Sequence, residues 1–265
     1  MSSRLLSILI GISLLGGCRS SDSAAGRHPD RTVSIAAAAD LKFALDEIVR
    51  EFGKRNTGIR INVVYGSSGN FFSQLANQAP FDVFLSADLD YPKKLAQQGV
   101  TLQDSEFTYA VGRIALWVPT GSPIEVEKLG MSALKHASVV HIAIANPEHA
   151  PYGRAAEAAM RSTGIYESVK AKLVYGENVA QTLQFVQSGN AEIGIVALSL
   201  AVSPAVRKQG RFCEAPMESY PRMEQGGVIL KWAKDLEAAR ALRAFLMESE
   251  GRAILKKFGF SQPGA

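Results

Sequence analysis

The chain has 265 residues, 47% of them hydrophobic, with 29 Lys+Arg against 25 Asp+Glu and a formal charge of +4. That apolar content fills one large or two medium cores and excludes a disordered chain. So small a surplus argues against nucleic acid, which calls for a concentrated basic stripe, and two cysteines are too few for a disulfide scaffold or a four-cysteine zinc site.

Arg4 is the only charged side chain ahead of an apolar run from Leu5 to Leu15. A bilayer span needs about 20 apolar residues, so the run reads as the core of a secretory signal peptide over residues 1–17. Leu15-Gly16-Gly17-Cys18 follows at once and resembles the lipobox of bacterial lipoproteins. The resemblance implies cleavage before Cys18 and a diacylglycerol on its thiol; an ordinary signal peptide with a chance cysteine is the alternative. Residues 18–32 are polar and lack an apolar period, as in a flexible, lipidated tether. The expected location is the periplasmic or extracytoplasmic face, with the protein held to the membrane by its lipid. Cys213 is then a lone thiol expected to pack, not to react.

Val33–Ala38 reads as a short strand. Leu41, Leu45, Ile48 and Phe52 recur at helical spacing behind Asp40, a preferred N-cap type. Ile61–Tyr65 is the next strand, and Gly66-Ser67-Ser68-Gly69 opens a second helix. Asp82–Ser86 has the continuous apolar centre of a strand buried on both faces. Phe107–Pro119 is too long and apolar for a loop and is predicted to be a strand crossing between two lobes. Strands continue at Val139–Ala145, Lys172–Tyr175, Ile193–Ala197 and Val228–Trp232, with a helix over Asp235–Ser249. Gln225–Lys231 would carry the chain back. The prediction is an α/β chain of two lobes, with mostly parallel sheets flanked by helices and a ligand cleft between the lobes. Residues 33–110 and 226–265 would form lobe 1, and residues 111–225 lobe 2.

Four strand-to-helix junctions stand out: Ala38-Ala39-Asp40, Gly66–Gly69, Pro151-Tyr152-Gly153 and Gly176-Glu177-Asn178-Val179. A helix N-terminus offers free N–H donors and roughly half a positive charge. Four converging ends would suit a dianion without a buried Lys or Arg. Taken singly, each junction reads equally well as an ordinary turn and cap.

At these junctions the sequence resembles the molybdate-binding proteins of bacterial ABC uptake systems, which have the type II periplasmic binding protein fold. The similar stretches are Ala36–Leu41, Tyr65–Asn70, Ala79–Asp88, Asn146–Gly153, Gly176–Val179 and Gly189–Ala197. The resemblance implies a monomeric binding protein, not an enzyme, that takes no cofactor. It would deliver molybdate or tungstate to an inner-membrane ABC permease, with the molybdenum present only inside the oxyanion and no protein atom ligating it. It also implies an oxyanion site at Ala39, Asp40, Ser68, Tyr152 and Val179. Ser68 would donate through its N–H and hydroxyl, and Tyr152 and Val179 through main-chain N–H groups. Asp40 falls where many members have serine, so it is expected to offer only its N–H, with Ala39 beside it offering a second, and to turn its carboxylate into a helix cap. Ala197 falls where many have a ligand-touching tyrosine, and the Tyr152 phenol is expected to supply that missing donor.

Neutral donors suit a tetrahedral dianion that carries no proton. Hydrogen phosphate would need an acceptor for its proton, and leaving that proton unpaired costs about 1–3 kcal/mol. Sulfate must be excluded by size. Binding of sulfate or phosphate remains the alternative, and a hydrolase on the same fold a further one. Against an enzyme, the four histidines form no His-Glu-x-x-His pattern, and no Gly-x-Ser-x-Gly or phosphate-loop motif appears. His149 reads as a satisfied loop residue near the cleft.

Overall fold

The computed structural model describes residues 31–264. The signal segment, Cys18 and most of the 18–32 tether lie outside them. The chain begins with β1 (Arg31–Ala38), α1 (Lys42–Arg55), β2 (Ile59–Gly66), α2 (Ser68–Ala76), β3 (Val83–Ser86), α3 (Asp90–Gln97) and β4 (Phe107–Gly112). It passes through β5 (Ile114–Pro119), α4 (Val126–Leu129), β6 (Ile142–Ala145), α5 (Pro151–Ser162), α6 (Tyr166–Val169) and β7 (Leu173–Gly176). Next come α7 (Val179–Gln187), β8 (Ile193–Ala197), α8 (Leu198–Ala201), α9 (Pro204–Arg207) and β9 (Gly210–Glu214). The return is through β10 (Met223–Ile229), α10 (Leu236–Met247) and α11 (Ser249–Lys257).

The strands form two five-stranded sheets, ordered β2-β1-β3-β10-β4 and β7-β6-β8-β5-β9. Each is half parallel and half antiparallel. β1 runs parallel to β2 and β3, while β10 runs antiparallel to β3 and β4. Likewise β6 is parallel to β7 and β8, and β5 antiparallel to β8 and β9. The sheets are therefore mixed, where the sequence suggested mostly parallel ones. The reason is connectivity. Strands that end at the cleft lead into helices and run one way, whereas a strand entering a lobe from the crossing, β5 or β10, must run the other.

The apolar stretch Phe107–Pro119 is accordingly two strands, not one. They meet at Arg113, and each belongs to a different sheet. The return strand starts at Met223, earlier than its apolar core suggests, and its pairing shifts between Gln225 and Gly226.

Burial explains the patterning. β3 is buried along its whole length between β1 and β10, while the edge strand β2 alternates between half-buried and exposed residues. Ala44, Leu45, Ile48 and Phe52 form the buried face of α1, and Phe52 meets Phe245 of α10 edge-on at 5.7 Å. Trp117 on β5 anchors the core of the second lobe, which continues across the cleft to Ala38, Ala39 and Ala87 of the first. Arg31, placed in the tether by the sequence, instead starts β1. Its guanidinium binds Asp235, the N-cap of α10, at 2.6 and 3.0 Å, and that ion pair holds the Asp235 carboxyl down at about 2.

Among the described residues no helix is long and apolar enough to cross a membrane. Cys213 is a free, half-buried thiol on β9, and burial raises its pKa.

Candidate functional site

At the cleft ends of β1, β2 and β7, and just after β6, the chain turns into helix starts, and the caps of those helices decide which donors remain free. Ser67 caps α2, its Oγ accepting from the Asn70 N–H at 3.4 Å. The Gly69 and Phe71 N–H groups go to the carbonyls of His149 and Ser67. Asn178 caps α7, its Oδ1 accepting from Ala180 and Gln181 at 3.0 and 3.1 Å. In α5, Pro151 has no N–H, and those of Gly153 and Arg154 both reach the Ala150 carbonyl. The first-turn donors left without a partner among the described residues are the N–H groups of Ser68, Tyr152 and Val179.

These three residues, with Ala39 and Asp40, line a single small cavity between the lobes. The structure thus brings all five residues singled out by the sequence to one place. None of the lining residues is Lys, Arg or His, and Asp40 is the one charged side chain among them. The fully buried Ser68 hydroxyl accepts the Ala87 N–H at 3.0 Å, which leaves its proton free to be donated. Such a cavity offers hydrogen-bond donors and helix-end partial charge but no mobile cation.

Asp40 behaves otherwise than expected. β1 runs into a 3₁₀ turn, Ala39–Leu41, whose N-cap is Ala38, and neither this turn nor α1 has a side-chain cap. The 1%-exposed carboxylate points instead to tertiary partners. Its Oδ2 accepts from the Tyr152 hydroxyl at 2.9 Å and from Gln225 Nε2 at 2.7 Å. The Tyr152 phenol is therefore spent on Asp40 and, while the carboxylate is ionised, has no second proton to give a ligand. Local residue type favours a cap, but two buried donors from distant parts of the chain outweigh it. Burial pushes the Asp40 carboxyl up from 3.8 to about 6, opposed by the bonds from Gln225 and Tyr152 and by the Asp40 and Leu41 amides. Ala197, the last residue of β8, is fully buried and outside the cavity lining.

The two lobes meet around this cavity. The Gly69 N–H donates to the His149 carbonyl at 2.9 Å, and Asn70 donates to Glu177 at 3.2 Å. Arg154 pairs with Asp88 and donates to the Tyr91 hydroxyl at 3.2 Å. His149 is a loop residue whose Nε2 donates to the Glu177 carbonyl at 3.0 Å. Sequence reasoning missed Gln225 and also Ser199, whose hydroxyl donates to the Asp40 main-chain carbonyl at 2.8 Å. The one signal for Gln225 was a buried-strand position at the head of the glycine and apolar run Gly226–Leu230.

Two α/β lobes joined by crossing strands, with helix N-termini from both facing a small cavity, define the architecture of a solute-binding protein. The chain belongs to the family of bacterial extracellular solute-binding proteins, whose model matches residues 33–261. It is 40% identical to the molybdate-binding protein ModA of Azotobacter vinelandii, over 86% of this chain and 89% of that one. It is also 29% identical to a putative ABC transporter substrate-binding lipoprotein of Bacillus subtilis, over 97% and 96%. The solved periplasmic molybdate-binding protein of Azotobacter vinelandii superposes with a TM-score of 0.79 at 31% identity, covering 87% of this chain and 99% of that structure.

Proposed function

We propose that this protein is the binding component of an ABC importer, that it captures molybdate and also tungstate, and that it has no catalytic activity. The observation that carries the reading is the cavity itself. Its free donors are the neutral Ser68, Tyr152 and Val179 N–H groups and the Ser68 hydroxyl, with no Lys or Arg in the lining. Ala39 and Asp40 are assigned main-chain contacts. A tetrahedral dianion without a proton satisfies such donors and demands no acceptor in return. The likeness to the Azotobacter molybdate-binding protein supports molybdate within this class.

In this reading the lobes built on the first and second sheets move as the two bodies that close on the anion. The change of lobe falls at Arg113 and just before Met223, not at the 110/111 and 225/226 bounds read from sequence. The closed form, a monomer held to the membrane by a lipid on Cys18, then presents the anion to an inner-membrane permease. The Bacillus relative described as a lipoprotein agrees with that anchor, and mass spectrometry of the membrane-extracted protein tests it.

Calorimetry with molybdate, tungstate, sulfate and phosphate tests the ligand. Heat from the first two alone is the expected result; heat from sulfate or phosphate alone, or from none of the four, overturns the reading.

Asp40 adds a pH dependence. With its carboxyl raised to about 6 in the closed form, that form holds a proton more tightly than an open form in which the group meets water. Closure then takes up a proton, so affinity rises as pH falls through about 6 toward about 4 and is flat above about 7. Between about pH 7.5 and pH 5 the gain is about tenfold. The titratable groups facing Asp40 are Tyr152 and Tyr109, and burial raises both well above the ordinary phenol range, so they stay neutral throughout. Titrations across this range, repeated with Asp40→Asn, check the assignment. The variant should be flat, and a slope that survives in it would remove Asp40 from the explanation.

A further inference from the structure

We infer that Asp40, Tyr152 and Gln225 form a latch across the lobes, and that the Asp40 carboxylate positions the lobes for closure and is not itself a ligand of the anion. The ligand half of the inference rests on the proposed oxyanion reading; the latch half rests on geometry alone.

The three side chains come from separate parts of the fold and are nearly closed to solvent. Asp40 follows β1 at the cleft end of the first sheet, Tyr152 is in the first turn of α5 in the second lobe, and Gln225 is on β10 where the chain re-enters the first sheet. Their exposures are 1%, 3% and 0%. Gln225 Nε2 donates both to Asp40 Oδ2 at 2.7 Å and to the Tyr152 hydroxyl oxygen at 3.1 Å. The phenol in turn donates to the same carboxylate oxygen at 2.9 Å, which closes a three-membered ring of hydrogen bonds.

The second lobe also holds Asp40 at its other end, through Ser199 on α8 and the Asp40 carbonyl. Gly112, the last residue of β4 before the crossing, leaves room for the ring. A Cβ there would lie 2.5 Å from both Gln225 Nε2 and the Tyr152 hydroxyl. Parting the lobes must break the Tyr152–Asp40 bond, because its two ends ride on different lobes. The bond is thus available only to the closed form and stabilises it there.

A charge beside an oxyanion cavity is otherwise a liability, since like charges repel. The arrangement reconciles the two by giving the carboxylate its own donors and by using their bonds to hold the lobes together. Asp40 Oδ1 and Gln225 Oε1 are both buried without a hydrogen-bond partner among the described residues. With asparagine at position 40, the acceptor that Tyr152 needs is kept. The new amide could donate to Gln225 Oε1 after a flip of that side chain, and the negative charge would be gone.

The test uses the full-length protein with spin labels at two exposed positions, Val64 on β2 and Val140 ahead of β6, which are 49% and 60% exposed. In the ligand-free protein, Tyr152→Phe and Asp40→Ala are expected to shift the inter-lobe distances toward the open form, while Asp40→Asn stays close to wild type. With molybdate bound, Tyr152→Phe is expected to raise the dissociation rate about tenfold and leave the association rate within about twofold.

Identical distance distributions in wild type, Tyr152→Phe and Asp40→Ala, or an unchanged dissociation rate, overturn the latch. A wild-type protein that ignores molybdate would overturn the oxyanion reading instead, and the ligand-free distances would still decide the latch.

Discussion

Replacing Gly69 with alanine is expected to weaken molybdate binding by about 100-fold or more while the protein's melting temperature holds or rises. Gly69 is the second residue of α2, and its N–H bonds the His149 carbonyl across the cleft at 2.9 Å. A Cβ on Gly69 would sit 2.6 Å from that carbonyl oxygen and 2.9 Å from the His149 Cα. Both atoms are backbone, so neither can swing aside. Relief requires the lobes to stand about 0.8 Å further apart to reach ordinary contact. Donors at hydrogen-bonding distance from an anion held by both lobes then move beyond about 3.5 Å, where the bonds weaken steeply. Losing even one or two charge-assisted bonds of about 1.5–3 kcal/mol each accounts for the loss. Alanine, however, suits a helical position better than glycine by roughly 1 kcal/mol, so the lobe itself should not suffer. Calorimetry and a thermal melt on the same sample separate the two effects. Wild-type affinity in Gly69→Ala would mean that the ligand-bound form does not bring α2 against His149.

Cleft closure shows where sequence reasoning stops. The helix starts were legible because their determinants are local: Ser67 and Asn178 cap within three residues of themselves, and Pro151 marks the first turn of α5. Hence the junctions themselves were legible at a cleft, and the resemblance singled out Ser68, Tyr152 and Val179 within them. The directions of β5 and β10 were not legible, because a strand's composition does not record which lobe the chain has just left. Asp40 was misassigned for a related reason. Aspartate before a helix reads locally as a cap, whereas its actual partners lie 112 and 185 residues away in sequence. Resemblance located the residue, but only tertiary structure could show what its side chain does. The same holds for Tyr152, whose main chain and phenol serve different ends: its N–H is left for the cavity, and its hydroxyl is taken by Asp40.

The division of labour between neighbouring serines leads to the second large effect. Ser68→Ala is expected to lower molybdate affinity about 100-fold, and Ser67→Ala mainly to lower folding stability. The Ser68 side chain is fully buried in the cavity wall, and its oxygen already accepts from Ala87 at 3.0 Å. Its single proton is therefore turned away from Ala87 and available to an anion oxygen. A hydrogen bond to a charged acceptor contributes about 1.5–3 kcal/mol, and removing the hydroxyl also strands the buried Ala87 N–H within the same lobe at a cost of about 1 kcal/mol in stability. The Ser67 oxygen instead faces its own helix and accepts from Asn70. Its loss costs about 1 kcal/mol of stability, as for other N-caps. Dissociation constants and melting temperatures of both variants, measured side by side, put the larger affinity loss in Ser68→Ala if the assignment holds. Binding in Ser68→Ala within about threefold of wild type would take the hydroxyl out of the anion's coordination and leave the main-chain donors to account for affinity alone.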